Sequence, residues 1–141
     1  MKRWAADERG MVTVWGVLIT LVLILVIGIT VDLTGQVNAQ QRAHDIAQQA
    51  ARAAANQVQA TQAMTGLTPT VDTGQAQAAA AGYLSAAGVT GTVTITGPTT
   101  LQVHVSYVYQ PKFLGAFGMG PKPVSGDASV QLTRVVNGVP R

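Results

Sequence analysis

Groups able to move a proton, hold a metal or attack a carbonyl are scarce in this chain. His44 and His104 are the only histidines, cysteine is absent, and six acidic residues are scattered over 141 positions. His44 stands beside Asp45 in "RAHDIAQ", on the polar flank of an alanine-rich stretch where both face solvent. His104 alternates with valines in "LQVHVSYVY", which puts it on the face opposite them. The one adjacent acidic pair, Asp7 and Glu8, lies in a short charged leader. A structural or catalytic metal wants three or four ligands at set spacings, and covalent catalysis wants a nucleophile beside a base; the sequence offers neither. Its glycines lack the lysine and the strand-to-helix setting of a phosphate loop. These residues predict no enzyme, no cofactor and no metal.

Charge excludes another class. Nine basic residues give a net charge of +3 and a sequence pI near 9.7, but they are spread along the chain and form no patch, so no nucleic-acid partner is expected. Aromatic residues make up 5%, which implies a light core for any soluble part and dependence on partners.

The element that must position everything else is the apolar run. Residues 11–31 contain no Asp, Glu, Lys, Arg, His, Asn or Gln. As a helix the run is about 31 Å long, the hydrocarbon thickness of a bilayer. Membrane lipid is therefore an expected partner. Lys2, Arg3 and Arg9 precede the run and no Lys or Arg follows until Arg42, which predicts a cytoplasmic N-terminus and an extracytoplasmic remainder. A secretory signal peptide with a cut after Ala39, in "VNA", is the rival reading, but the run is long for one and Asp32 to Asn38 separate it from that cut. Asp32, at the outer end, is an interfacial anchor or a polar contact to a neighbouring subunit.

Beyond the span no proline interrupts residues 32–64, and Ala and Gln, both helix formers, dominate. One helix from about Met11 to about Thr65 is the simplest structure, stopped by Gly66 and Pro69. Ala39, Ala43, Ala47, Ala50, Ala54 and Val58 recur at threes and fours and line one face with small residues, open to a sheet or to another helix. Asp72 with Gln75 three residues on reads as a capping box for a second helix carrying an Ala76, Ala80, Tyr83, Leu84, Ala87 stripe and ending at Gly88. The period then changes to two. "TVTIT" and "LQVHVSYVY" read as a hairpin across "GPTT", and "ASVQLT" as a third strand. The Gly- and Pro-rich connection carries Phe113, Leu114, Phe117 and Met119, which can close the core, dip into lipid or meet a partner. The predicted class is α+β: one N-terminal transmembrane helix extended outward, a short helix, and a small three-stranded antiparallel sheet. The predicted boundaries are 1–10 for the leader, 11–31 for the span, 32–66 for the Ala/Gln helix and 67–141 for the ectodomain.

A Gly-ended leader, "ERGMVTV", followed by an apolar helix and "VDLTGQVNAQQRAHDIAQQAARAAA", resembles the TadE/TadG-like proteins of Tad (Flp) pilus assembly, within the wider pilin and pseudopilin class. The matching positions are Gly10, Val31, Asp32, Leu33, Ala43, Asp45 and Ala47, with Gln48 in place of an alanine. The resemblance implies a pilin-like structural or assembly component that packs by helices and binds other pilus or secretion-system subunits, itself among them. It points to prepilin processing at Gly10 and Met11; subunit packing is expected at Asp32, Ala43, Asp45 and Ala47, which match the family's positions, and at Ala50 and Ala54, which continue the small-residue face. Trp15 occupies the place where such pilins carry a glutamate that pairs with the new N-terminal amine. That departure favours an accessory membrane subunit over a filament former. A secreted binding module released after Ala39 and a membrane-anchored enzyme are the alternatives.

Overall fold

The computed structural model describes residues 7–65, 73–97, 99–132, 135–136 and 139–140. Residues 1–6 of the leader, the Gly66 and Pro69 stop, and the Asp72 cap lie outside them.

Helix α1, Asp7–Thr65, is continuous over 59 residues, about 88 Å at the ordinary rise per residue. It begins inside the charged leader, four residues before the apolar run. Hydroxyls in the run cause no break, because Thr20, Thr30 and Thr34 donate to the carbonyls of Gly16, Val26 and Thr30 one turn earlier, at 2.8–2.9 Å. Helix α2, Thr73–Ala86, buries Ala76, Ala80 and Leu84. Tyr83 is half-buried and Ala87 exposed, so the predicted stripe is narrower than its spacing suggests. The helix ends as expected, with Gly88 left-handed (φ 67°) and the Val89 N–H returning to the Leu84 carbonyl at 3.2 Å.

Three antiparallel strands follow in the spatial order β1-β2-β3: β1 Thr90–Ile95, β2 Thr100–Tyr109 and β3 Lys122–Gln131. Val103 stands between Val93 and Ala128, and His104 between Thr92 and Asp127. Leu101, Val103 and Val105 point to one face and are fully buried. Two short strands, Val135–Val136 and Val139–Pro140, pair with each other near the C-terminus. Strand β3 starts at Lys122, earlier than "ASVQLT" suggests. Pro123 and Gly126 look like breakers, but β3 is an edge strand, where a missing N–H is tolerated.

The core forms where α1 and α2 cover the apolar face of the sheet. Ala43, Ala47, Ala50 and Ala54 have no exposed surface and pack in one cluster with Leu101, Val103, Val105, Ala76, Ala80 and Leu84. The small-residue face is therefore filled by the chain's own sheet and second helix. Gly126 shows how close the approach is: a Cβ there would overlap the α1 backbone at Ala43 and His44. Gln49 and Tyr83 pair by a side-chain hydrogen bond between α1 and α2, and Gln77 donates to the Val93 carbonyl at 3.0 Å, so α2 is tied to both layers.

Candidate functional site at the exit of the apolar helix

The most highly constrained polar group of the described chain is Asp32, which is 3% exposed although it sits at the end of the apolar run. Its partners come from the connection between β2 and β3. Oδ1 accepts from the Lys112 N–H at 2.7 Å, the Phe113 N–H at 3.2 Å and the Tyr109 hydroxyl at 3.3 Å. Oδ2 accepts from the Phe113 N–H at 3.0 Å and the Leu114 N–H at 2.5 Å. These backbone donors open the short 3-10 helix Leu114–Phe117, whose own preceding residue, Phe113, supplies no side-chain cap. A carboxylate some eighty residues away in sequence thus takes the place of an N-cap, satisfying donors that the turn leaves unpaired.

Electrostatics favour the ionised form. Burial pushes the Asp32 carboxyl up, but the N–H groups of Leu114, Lys112 and Phe113 and the Tyr109 hydroxyl together hold it below its ordinary value. Tyr109 is pushed up, by burial first and then by the Asp32 charge and its hydrogen bond.

Two glycines make room for this contact. Gly28 and Gly35 flank Asp32 at spacings of four and three, on one face of α1. Any side chain at Gly28 would overlap the Phe113 ring, and one at Gly35 would overlap the Tyr109 phenol. Phe113 and Phe117 stack tilted, with centroids 5.3 Å apart. Neither glycine was legible as part of a site, although the Gly28, Asp32, Gly35 spacing was a usable signal.

The other predicted residues are dispersed. Asp45 is exposed on the flank of α1, away from the alanine face. Gly10 and Met11 lie within α1, where both are exposed. Phe113 and Leu114 are half-buried, whereas Phe117 and Met119 are exposed. The two histidines do converge on Asp127: His104 Nδ1 lies 2.6 Å from its carboxylate, and His44 Nδ1 lies 3.2 Å from its carbonyl oxygen. His104 and Asp127 are each about half exposed, and such a surface pair contributes little. Among the described residues no group of three acidic, histidine or cysteine side chains is placed to hold a metal.

Every large apolar side chain from position 11 to position 37 is 36–73% exposed. An apolar surface of this extent marks contact with membrane or protein, and α1 is long and apolar enough to cross a bilayer. The fold therefore points to a membrane-anchored α+β protein whose apolar helix runs without a break into the folded α+β domain. Residues 10–57 match the model of the family described as putative Flp pilus-assembly TadE/G-like. The resemblance carried by Gly10, residues 31–33 and the Ala/Gln helix holds over that stretch, and the match supports a role in Flp pilus assembly. No curated protein and no solved structure matches the chain.

Proposed function

We propose that the protein is an accessory, pseudopilin-like subunit of a Flp-type pilus or related secretion machine, with its N-terminus in the cytoplasm and its ectodomain outside. It works by packing its span against neighbouring helices and by presenting the ectodomain to other subunits, without catalysis. The observation that carries this is the TadE/G-like match over a helix whose large apolar side chains are exposed through the run and which is committed to its own sheet beyond it. Because Ala43, Ala47, Ala50 and Ala54 are spent on the sheet, they serve assembly indirectly, by fixing the ectodomain to the helix. Asp45 on the exposed flank is the member of that predicted set that a partner can reach.

The secreted alternative fits the geometry poorly. A cut after Ala39 would remove Asp32 and leave the N–H groups of residues 112–114 without their acceptor. Alkaline carbonate extraction with intact-mass measurement tests the proposal. The expected result is a pelleted species that begins at Met1 or Met11 and co-purifies with pilus components after cross-linking. A soluble species beginning at Gln40 would establish the secreted module instead.

A further inference from the structure

The turn that Asp32 caps sits alongside the span. The Phe113 ring lies on Gly28 and shares a largely apolar hollow with Ile24, Ile27 and Val31, with Lys112 also on its wall. Gly28 is three residues inside the end of the run, so this ring sits about 4.5 Å below it along the helix axis. From there the chain turns through Leu114–Phe117 with its remaining large apolar groups facing outward: Phe117 is 67% exposed and Met119 49%. Such groups, next to side chains that face lipid, extend the same apolar surface.

The backbone of the turn carries a second, independent sign. Six of its N–H donors are paired within the chain. The N–H groups of residues 112, 113 and 114 go to Asp32. Those of Ala116, Gly118 and Met119 go to the carbonyls of Phe113, Gly115 and Leu114, each at 3.1 Å. Lipid-exposed irregular backbone is not found in the hydrocarbon itself, and an unpaired N–H is costly wherever water thins out, so an apolar turn whose donors are largely paired suits the boundary between head groups and acyl chains. Gly118 makes the tight closure possible, with φ 85°. Lys112 and Lys122 are both exposed at the two ends of the connection, where long cationic side chains can reach lipid phosphates while their stems stay with apolar surface.

We propose that residues 113–119 form a second membrane contact, an apolar turn seated at the boundary between the head groups and the acyl chains of the leaflet on the ectodomain side. Its backbone is capped by Asp32, and Lys112 and Lys122 hold its flanks at the head groups. This rests on residues 11–31 being the span. The contact fixes the ectodomain against the bilayer surface at two points, the helix and the turn, and so prevents it from swivelling about a single anchor.

The cysteine-free chain suits a test by site-directed labelling. Full-length protein carrying Phe117→Cys, Met119→Cys, Leu21→Cys or Gln102→Cys is labelled with an environment-sensitive fluorophore. Each is placed in nanodiscs of mixed zwitterionic and anionic phospholipid. Labels at 117 and 119 should lose most of their emission to lipids with a nitroxide near the head-group end of the acyl chain, and almost none to aqueous iodide. The label at 21 should be quenched by lipid nitroxides alone and the label at 102, on an exposed strand position, by iodide alone. Met119→Cys reads the turn without removing a ring from the Phe113–Phe117 pair, so it serves if Phe117→Cys misfolds. Iodide quenching at 117 and 119 equal to that at 102, with position 21 still in lipid, would overturn the turn's insertion while leaving the span intact. Shielding of 117 and 119 from both quenchers would overturn it in favour of a protein contact. Iodide quenching at position 21 would remove the span and the proposal together.

Discussion

Replacing Ala47 by leucine tests whether the alanine face belongs to the chain's own core. Ala47 has no exposed surface and lies in the cluster shared with Leu101, Val103 and Val105. Leucine adds three carbon atoms to a contact in which a neighbouring strand already needs glycine at position 126 to approach the helix. Inserting such volume into a packed site costs about 1–3 kcal/mol. A domain of this size holds roughly 0.05–0.15 kcal/mol per residue, so the change consumes a sizeable share of its stability, and the melting temperature should fall by roughly 4–8 °C per kcal/mol. The matched control is Gln48→Leu, one residue along on the exposed side. There the same side chain should alter stability by no more than about 0.5 kcal/mol. Both tryptophans, Trp4 and Trp15, precede the ectodomain, so tryptophan emission is a poor reporter. Pulse proteolysis in detergent, or near-ultraviolet dichroism of Tyr83, Tyr107 and Tyr109, follows the right unit. Equal tolerance of leucine at 47 and 48 would refute the packing of α1 on the sheet and return the stripe to an intermolecular role.

Two further outcomes follow from the same geometry. The Asp32 carboxyl is held below its ordinary value of 3.8, so its contribution is fully present above that value and is lost as pH falls through the lower folded-state value. The protection of amides 112–119 against exchange, taken relative to the intrinsic rate at each pH, should therefore fall on acidification in the wild type, whereas Asp32→Asn should show a loosened turn already at neutral pH; an acid response of the same size in the variant would assign it to other carboxyls. For topology, a cysteine replacing Ser125 should react with an impermeant thiol reagent in intact cells and one replacing Ala5 should not, and the reverse pattern would show that the charge asymmetry around the span misleads.

How much of this was legible follows from which signals live in side-chain patterns. Residues 11–31 and the Ala/Gln stretch announce a helix by composition, and Leu101, Val103 and Val105 announce a strand by alternation. The first half of β3 was hidden because Pro123 and Gly126 carry turn character locally, and only their place on a sheet edge against α1 makes them acceptable in a strand. The partner of the alanine face was open for a different reason. Small residues permit close approach without naming what approaches, and the deciding residue, Gly126, lies more than seventy positions away. The Asp32 site was the least legible part. Apart from the Tyr109 hydroxyl, its ligands are main-chain N–H groups, which every residue but proline carries, so residues 112–114 gave no side-chain signal. Gly28 and Gly35 carry no local signal either, because what requires a glycine there is the Phe113 ring and the Tyr109 phenol, which come from far along the chain.

The consequence for assembly lies in how the span and the ectodomain are joined. Helix α1 has no proline from Asp7 to Thr65, and sharp kinks need a proline, a bulge or an inserted group, so the span runs into the ectodomain without a hinge of that kind. The sheet then meets that helix at two levels. Near the membrane exit, the connection between β2 and β3 is held by Asp32. Further out, Ala43 to Val58 close against the sheet and α2. A rotation of the ectodomain about the helix would have to break the buried carboxylate contact and the alanine packing together. Whatever neighbour fixes the azimuth of the span in the bilayer therefore fixes the direction in which Asp45 and the outer sheet face point. For a subunit read as joining a filament or its base, such coupling turns helix packing in the membrane into orientation of a binding surface outside it, with no moving part required.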